Sequence, residues 1–305
     1  MNARAQLLPP GLIVNADDLG IHPSINAGIL SAYRNGILTS CTMLMTTAYL
    51  EETLRNYVRP AALPIGIHLS LTLGKSAAPA RDVPDLIDEQ GNLKLSAGRL
   101  LLASFAGVSG AKLLAQIQRE FEAQLARAHD GGLRPTHADS HQHVHMNPAI
   151  FRVVETLLPR FGIDRLRSSR EPLRWFAAGA DLAAATIRLN PAKWALLRWR
   201  AASIKPSLAV NDDFFGILQS GLVSKGALLR LIAGARTDKA IEICIHPGFP
   251  APKGQPFYSR HGYNDFISSL ARQSEHDALL DTDLAQLLER RGLVLRGYDG
   301  RAKGP

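Results

Sequence analysis

The feature that most constrains this chain is a recurrence: short apolar runs stop on ionisable residues, with helical patterns between them. Ile13-Val14-Asn15-Ala16 runs into Asp17, Asp18 and Gly20. Ile65-Gly66-Ile67 runs into His68, residues 135–145 carry Asp139 and His141, and the run from Ala240 to Ile245 ends on His246-Pro247-Gly248. Runs of this length bounded by turn signals read as buried strands. Further strands are expected at 38–45, 163–167 and 293–295. Between them, Pro23 is well placed at a first helical position, Ile25, Ile29, Ala32 and Tyr33 recur at helical spacing, and Gly36 is a terminator. A helix over 49–57, a long amphipathic helix over 110–129, and helices over 148–160 and 277–291 complete the alternation, while 74–98 reads as a long loop. About seven strands alternating with helices imply a parallel sheet or barrel. In a barrel of parallel strands the carboxyl ends converge on one face, where active sites lie. The expectation is one α/β domain over residues 1–305, a distorted parallel (β/α) barrel with its site at the C-terminal strand ends.

The 305 residues, 46% of them hydrophobic, supply enough apolar material for such a core. The two cysteines, Cys41 and Cys244, sit far apart in apolar runs and read as reduced core residues of a cytosolic protein, not as a disulfide framework. No signal peptide and no transmembrane run is visible, so a cytoplasmic protein is expected.

The chemistry concentrates in two places. Asp17 and Asp18 are adjacent carboxylates at a strand end, where repulsion calls for a cation or a shared proton. Neighbouring residues of an extended chain point to opposite sides, so the pair is expected to divide its roles between metal and reacting group. An ordinary turn with a helix-capping Asp is the plain alternative. The second place is His137-Ala138-Asp139-Ser140-His141-Gln142-His143-Val144-His145, with four histidines and one Asp within nine residues. Strand alternation would put residues 137, 139, 141, 143 and 145 on one side. Not all of them can bind one ion, so some must orient others through hydrogen bonds.

Taken together, Asn15-Ala16-Asp17-Asp18-Leu19-Gly20, Gly66-Ile67-His68-Leu69, the segment from Pro135 to His145, and His246-Pro247 resemble, in this order, the YdjC-like (ChbG/HpnK) carbohydrate deacetylases. The resemblance spans about residues 11–298 and is nearest to the hopanoid-biosynthesis-associated branch. Leu19 stands where many relatives have Phe, an apolar exchange that puts little in doubt. The resemblance implies removal of an N-acetyl group from an amino sugar with one divalent ion, Mg²⁺ or Zn²⁺. It implies Asp18, His68 and His141 as metal ligands, Asp17 as general base, and His246 as the group that stabilises or protonates the departing amine. His137, Asp139, His143, His145 and Arg170 are then supporting or substrate-binding candidates. Mixed carboxylate and imidazole ligands do not by themselves select the metal.

Residues 165–205 hold nine Lys or Arg against two acids, Glu171 and Asp181, and all three tryptophans, Trp175, Trp194 and Trp199. This stretch, which overlaps an insertion at about 171–215, supplies nearly all of the net charge of +8. Trp beside Arg is the composition of a segment at a membrane interface, so peripheral contact with the inner membrane face through 171–205 is one reading and a helical flap with a solvated basic face is the other. No nucleic-acid recognition motif accompanies the charge. The expected partner is an N-acetylated amino sugar, with a lipid-linked (hopanoid) N-acetylglucosamine and a homo-oligomer as further candidates. The competing functions are a metal-dependent phosphoesterase and a catalytically silent sugar- or lipid-binding barrel.

Overall fold

The computed structural model of the chain describes residues 8–58, 63–178, 190–252 and 263–303, with the side chains of 176–178 and 263 left aside. Six parallel strands form one sheet in the order β4-β3-β2-β1-β6-β5: β1 Gly11–Leu19, β2 Ser40–Met43, β3 Ile65–Leu69, β4 Ala138–Ser140, β5 Asp213–Phe215 and β6 Ala240–Ile245. The central strands are buried along their whole length, as continuous apolar runs flanked by helices require.

The expected strand at 163–167 contributes no ladder. Its backbone forms single bridges, Ala138↔Leu166 and Arg165↔Ala209, which carry the pairing on from β4 towards the segment that becomes β5. The expected strand at 293–295 is likewise reduced to one bridge, Leu12↔Leu295. The sheet is therefore a curled, barrel-like wall of six strands with bridged segments, where about seven full strands were expected.

The helices are α1 Pro23–Asn35, α2 Leu50–Thr53, α3 Ala97–Leu102, α4 Gly107–Asp130, α5 Pro148–Leu157, α6 Asn190–Ala201, α7 Lys225–Gly234, α8 Tyr263–Ile267, α9 Leu270–Leu279 and α10 Thr282–Arg291. Helix α1 starts where the sequence signals it: Pro23 occupies the first turn and the His22 side chain accepts from the Ser24 amide. The single helix expected over 277–291 is two, because Asp281 caps α10 through the Asp283 amide and so begins a new helix. Helix α4 buries Ile117, Phe121 and Leu125 at four-residue spacing. On the same side, Glu120 accepts from the Ala77 and Ala78 amides at 2.9 and 3.0 Å, and Gln124 bonds both backbone groups of Ser70, pinning the start of the long loop that follows β3. Gly66 in β3 is required by close approach, since a Cβ there would lie 2.5 Å from the His137 ring. Among the described residues no helix is long and apolar enough to cross a membrane.

Candidate metal and catalytic centre

Pairing between β1 and β2 shifts register between Ala16 and Leu19, and Asp18 there has φ 71°. This irregularity, more than plain strand alternation, sends the two carboxylates in different directions. Asp is among the few residues other than Gly that tolerate the left-handed region. Both carboxylates are buried, at 3% and 1% exposure.

Each has its own cation. The Arg167 guanidinium grips Asp17 with both arms, Nη2 to Oδ1 at 2.7 Å and Nη1 to Oδ2 at 2.8 Å. Its Nη1 also lies 2.6 Å from Asp139 Oδ2, and its Nε donates to Glu242 Oε1 at 2.7 Å. Asp18 Oδ2 accepts from Arg272 Nη2 at 2.7 Å. Burial alone would raise the pKa of both carboxyls. Arg167 and the neighbouring His68 overcome it at Asp17, and His141 and Arg272 overcome it at Asp18, so both are held well below the usual carboxylate range.

His68, at the end of β3, is oriented from behind. Its Nδ1 is 2.6 Å from Asp139 Oδ1 and 3.2 Å from Thr42 Oγ1, and its Nε2 faces Asp18 Oδ1 at 3.7 Å. Burial would lower the His68 pKa, but Asp139, Asp17 and Asp18 raise it to about 9. His141 follows β4 directly, and its Nδ1 lies 3.4 Å from the same Asp18 Oδ1. Burial lowers its pKa against the pull of Asp18, which favours the neutral ring.

Beyond His141 the expected alternation fails. β4 ends at Ser140, and a tight helical turn follows in which Gln142 and His143 both have left-handed φ, 57° and 59°. Only Asp139 and His141 of the five therefore reach the carboxylates. His137 precedes β4 and stacks on Tyr298 with ring centroids 3.7 Å apart. His143 Nδ1 pairs with Ser169 Oγ at 2.9 Å. His145 spans Ser140 Oγ and the Arg167 carbonyl oxygen at 2.5 and 3.1 Å, fixing the backbone that carries Arg167. Arg170 donates to the Ala201 and Ile204 carbonyls at the end of α6, so its guanidinium braces that helix.

His246, just beyond β6, has its backbone amide on Glu275 Oε2 at 2.6 Å, and its buried Nδ1 has no hydrogen-bond partner among the described residues. Burial, against the pull of Asp18 and Asp17, lowers its pKa to about 4. Ligand atoms of Asp17, Cys244 and His246 lie within 4.8 Å of one another, which brings both assigned catalytic groups to one spot.

Among the described residues, three groups of buried side chains could hold an ion: Asp18, His68 and His141; Asp17, His68 and Asp139; and Asp17, Cys244 and His246. The donor atoms decide between them. Asp17 and Asp139 are committed to Arg167, and the Cys244 thiol donates to Asp17 at 3.2 Å while burial raises its pKa well above the ordinary value. Asp18 Oδ1, by contrast, is buried with no hydrogen-bond partner among the described residues and is faced by two imidazole nitrogens, His141 Nδ1 and His68 Nε2. Ligands about 2.1 Å from one ion stand roughly 3.0–3.5 Å apart, close to the spacing seen here. The first set fits a single divalent ion.

Arg167, Glu242 and Arg272 are centre residues that the sequence reading missed. Glu242 had a signal, since a lone carboxylate inside the buried run of β6 demands a partner. Lys193, in the basic segment, is partly buried and lines a cavity of about 330 Å³ with Gln142, Leu101 and Leu196, between α3 and α6.

A profile of the family described as YdjC-like protein matches residues 11–290. The chain belongs to the YdjC-like family. A carbohydrate deacetylase of Geobacillus stearothermophilus is 40% identical over 154 residues, which cover 50% of this chain and 58% of that protein. The human carbohydrate deacetylase is 31% identical over 303 residues, covering 94% and 90% of the two chains. The chain thus spans little more than half of the bacillary relative and nearly all of the human one. The crystal structure of an Enterococcus faecalis V583 protein, described as a candidate cellobiose-phosphate cleavage protein, superposes with a TM-score of 0.70 at 24% identity, over 97% of this chain and 100% of that one. At that identity the likeness concerns the fold of this YdjC-like chain.

Proposed function

We propose that this YdjC-like protein removes the acetyl group from an N-acetylated amino sugar, using one divalent ion held by Asp18, His68 and His141. The observation that carries the reading is Asp18 Oδ1, a buried carboxylate oxygen faced by two imidazole nitrogens, His141 Nδ1 at 3.4 Å and His68 Nε2 at 3.7 Å, with no closer polar partner among the described residues. When bound, such an ion polarises the amide carbonyl and acidifies water.

The other steps fall to the chain's own residues. Asp17, kept ionised by Arg167, takes the proton of the attacking water. His246 gives a proton to the nitrogen of the departing amine. With a pKa of about 4 its ring rests neutral near pH 7, so the proton it donates must first reach it. Asp17, within 4.8 Å, is the source the geometry favours. Arg167 and Asp139 hold Asp17 and His68 in place.

The narrower reading, a sugar linked to a lipid such as a hopanoid, draws support from the apolar lining of the cavity beside Gln142 and Lys193. Of the three tryptophans, Trp175 is buried, Trp194 donates its ring N–H to the Glu171 carbonyl, and Trp199 is 61% exposed. The membrane reading therefore rests on Trp199 with its neighbour Arg198, since Arg200 donates to the Leu101 and Ala103 carbonyls, while part of the expected segment (residues 179–189) lies outside the described residues.

Acetate release from N-acetylglucosaminyl substrates, with and without added Mg²⁺, Zn²⁺ or Co²⁺, tests the proposal. Ion-dependent acetate release is expected. Phosphate release from phosphate esters without acetate release would favour the phosphoesterase alternative instead.

A further inference from the structure

Arg272 comes from α9, remote in sequence from every motif, yet it is 1% exposed and reaches the centre. Its guanidinium lies over the Phe266 ring, 4.1 Å from the centroid, and its Nε donates to the Phe266 carbonyl at 3.1 Å. Nη2 is thereby fixed 2.7 Å from Asp18 Oδ2. The remaining arm, Nη1, is buried with no hydrogen-bond partner among the described residues. Burying an arginine and leaving one arm unpaired costs stability, so fold stability alone is a poor account of this residue.

Asp18 itself has few ways to move. Its carbonyl accepts from the Ile21 amide at 3.1 Å, and the next turn is tied by the Gly20 amide to Asn26 Oδ1 at 2.7 Å. What the backbone leaves open is the rotation of the carboxylate, and Arg272 closes it.

We propose that Arg272 is a positioning residue that makes Asp18 a one-oxygen ligand: it holds Oδ2 and leaves Oδ1 alone to face the ion. The inference rests on the metal reading of Asp18, His68 and His141. A fixed guanidinium does this where a flexible point charge would not, because the fork is rigid and is held at Nε as well as at Nη2. Partners that orient metal ligands are typically worth about 10- to 100-fold in metal affinity.

The test is Co²⁺ titration of the metal-free full chain, read by calorimetry and by the visible absorption of the bound ion, in wild type, Arg272→Met, Arg272→Lys and His68→Ala. Arg272→Met should bind Co²⁺ about 10- to 100-fold more weakly and with an altered spectrum, because Asp18 can then swing to offer both oxygens. Arg272→Lys keeps the charge but loses the fork, and should recover only part of the affinity. Near-wild-type affinity and spectrum in a folded Arg272→Met would overturn the proposal. So would full recovery in Arg272→Lys, which would leave charge as the only role; that variant also carries the test if Arg272→Met does not fold. If Co²⁺ binds the wild type and is lost in His68→Ala while both Arg272 variants behave as wild type, the metal reading stands and this inference alone falls. If the wild type binds no Co²⁺, both fall.

Discussion

Asp139 Oδ1 lies 2.6 Å from His68 Nδ1, and the opposite nitrogen of the same ring faces Asp18. The carboxylate thereby selects the tautomer of His68 and aims its Nε2 at the proposed ion position, an arrangement common behind metal-ligating histidines. Elemental analysis of purified protein should find no bound ion in His68→Ala or His141→Ala, and reduced occupancy in Asp139→Asn. Normal occupancy in both alanine variants would remove the ligand assignment.

Metal affinity should depend steeply on pH, and the sign follows from His68. Its pKa is raised from 6.5 to about 9, so in the metal-free protein it is protonated at neutral pH. The stability this gives the metal-free fold is complete below pH 6.5 and is lost as pH rises through about 9. An ion must displace that one proton, since Asp18 and His141 are already deprotonated. Affinity should rise about tenfold per pH unit from neutral pH and level off near pH 9. Calorimetry in buffers of different ionisation enthalpy would count the released proton, and a flat profile would contradict the assignment.

Asp17→Asn should retain its ion and lose turnover. Loss of a general base typically costs about 10²- to 10⁴-fold. Acetate release near the wild-type rate, with metal content unchanged, would sink the role of Asp17 as proton acceptor.

Arg167→Met should destabilise the fold through loss of one buried cation. Arg167 is fully buried and is shared by Asp17, Asp139 and Glu242. Removing one partner of a buried ion pair typically costs about 3–5 kcal/mol. Protonation of Glu242, whose pKa burial already raises to about 7, offsets part of that loss, so the deficit should be smaller at low pH. Chemical denaturation at several pH values measures both.

Membrane contact has a narrower test than composition suggested. Trp199→Ala should reduce co-sedimentation with anionic liposomes at low salt, and Trp194→Ala should act mainly on stability, because Trp194 is bonded to the Glu171 carbonyl. No binding by the wild type would end the membrane reading.

Much of the scaffold was legible in the sequence because its signals are local. β3 and β6 fall where the apolar runs do, and α1 runs from Pro23 to the residue before Gly36. The candidate ligands stood out as ionisable residues at or beside strand ends, and their division into ligands and base came from the family resemblance. Two kinds of information were not local. Arg272 sits inside an ordinary amphipathic helix and gains its meaning only from where α9 packs. The histidine run looks like an alternating strand until Gln142 and His143 adopt left-handed backbone, and nothing in His-Gln-His-Val-His announces that turn. The short bridges at 165–166 and at 295 show the same limit, since an apolar run reveals burial but not how many ladder partners it will find.

The matching of buried carboxylates by buried cations has a consequence for how the protein matures. Arg167, Arg272 and protonated His68 face Asp17, Asp18 and Asp139, while Glu242, whose pKa burial raises to about 7, is only partly ionised at neutral pH. The centre is thus close to electroneutral before any ion arrives, with the His68 proton as placeholder. Folding should then not need to wait for the proposed ion, and a chelator that strips such an ion should exchange it for a proton and leave the barrel standing, which circular dichroism before and after chelation checks. On that reading a newly made chain finishes folding first and is loaded afterwards.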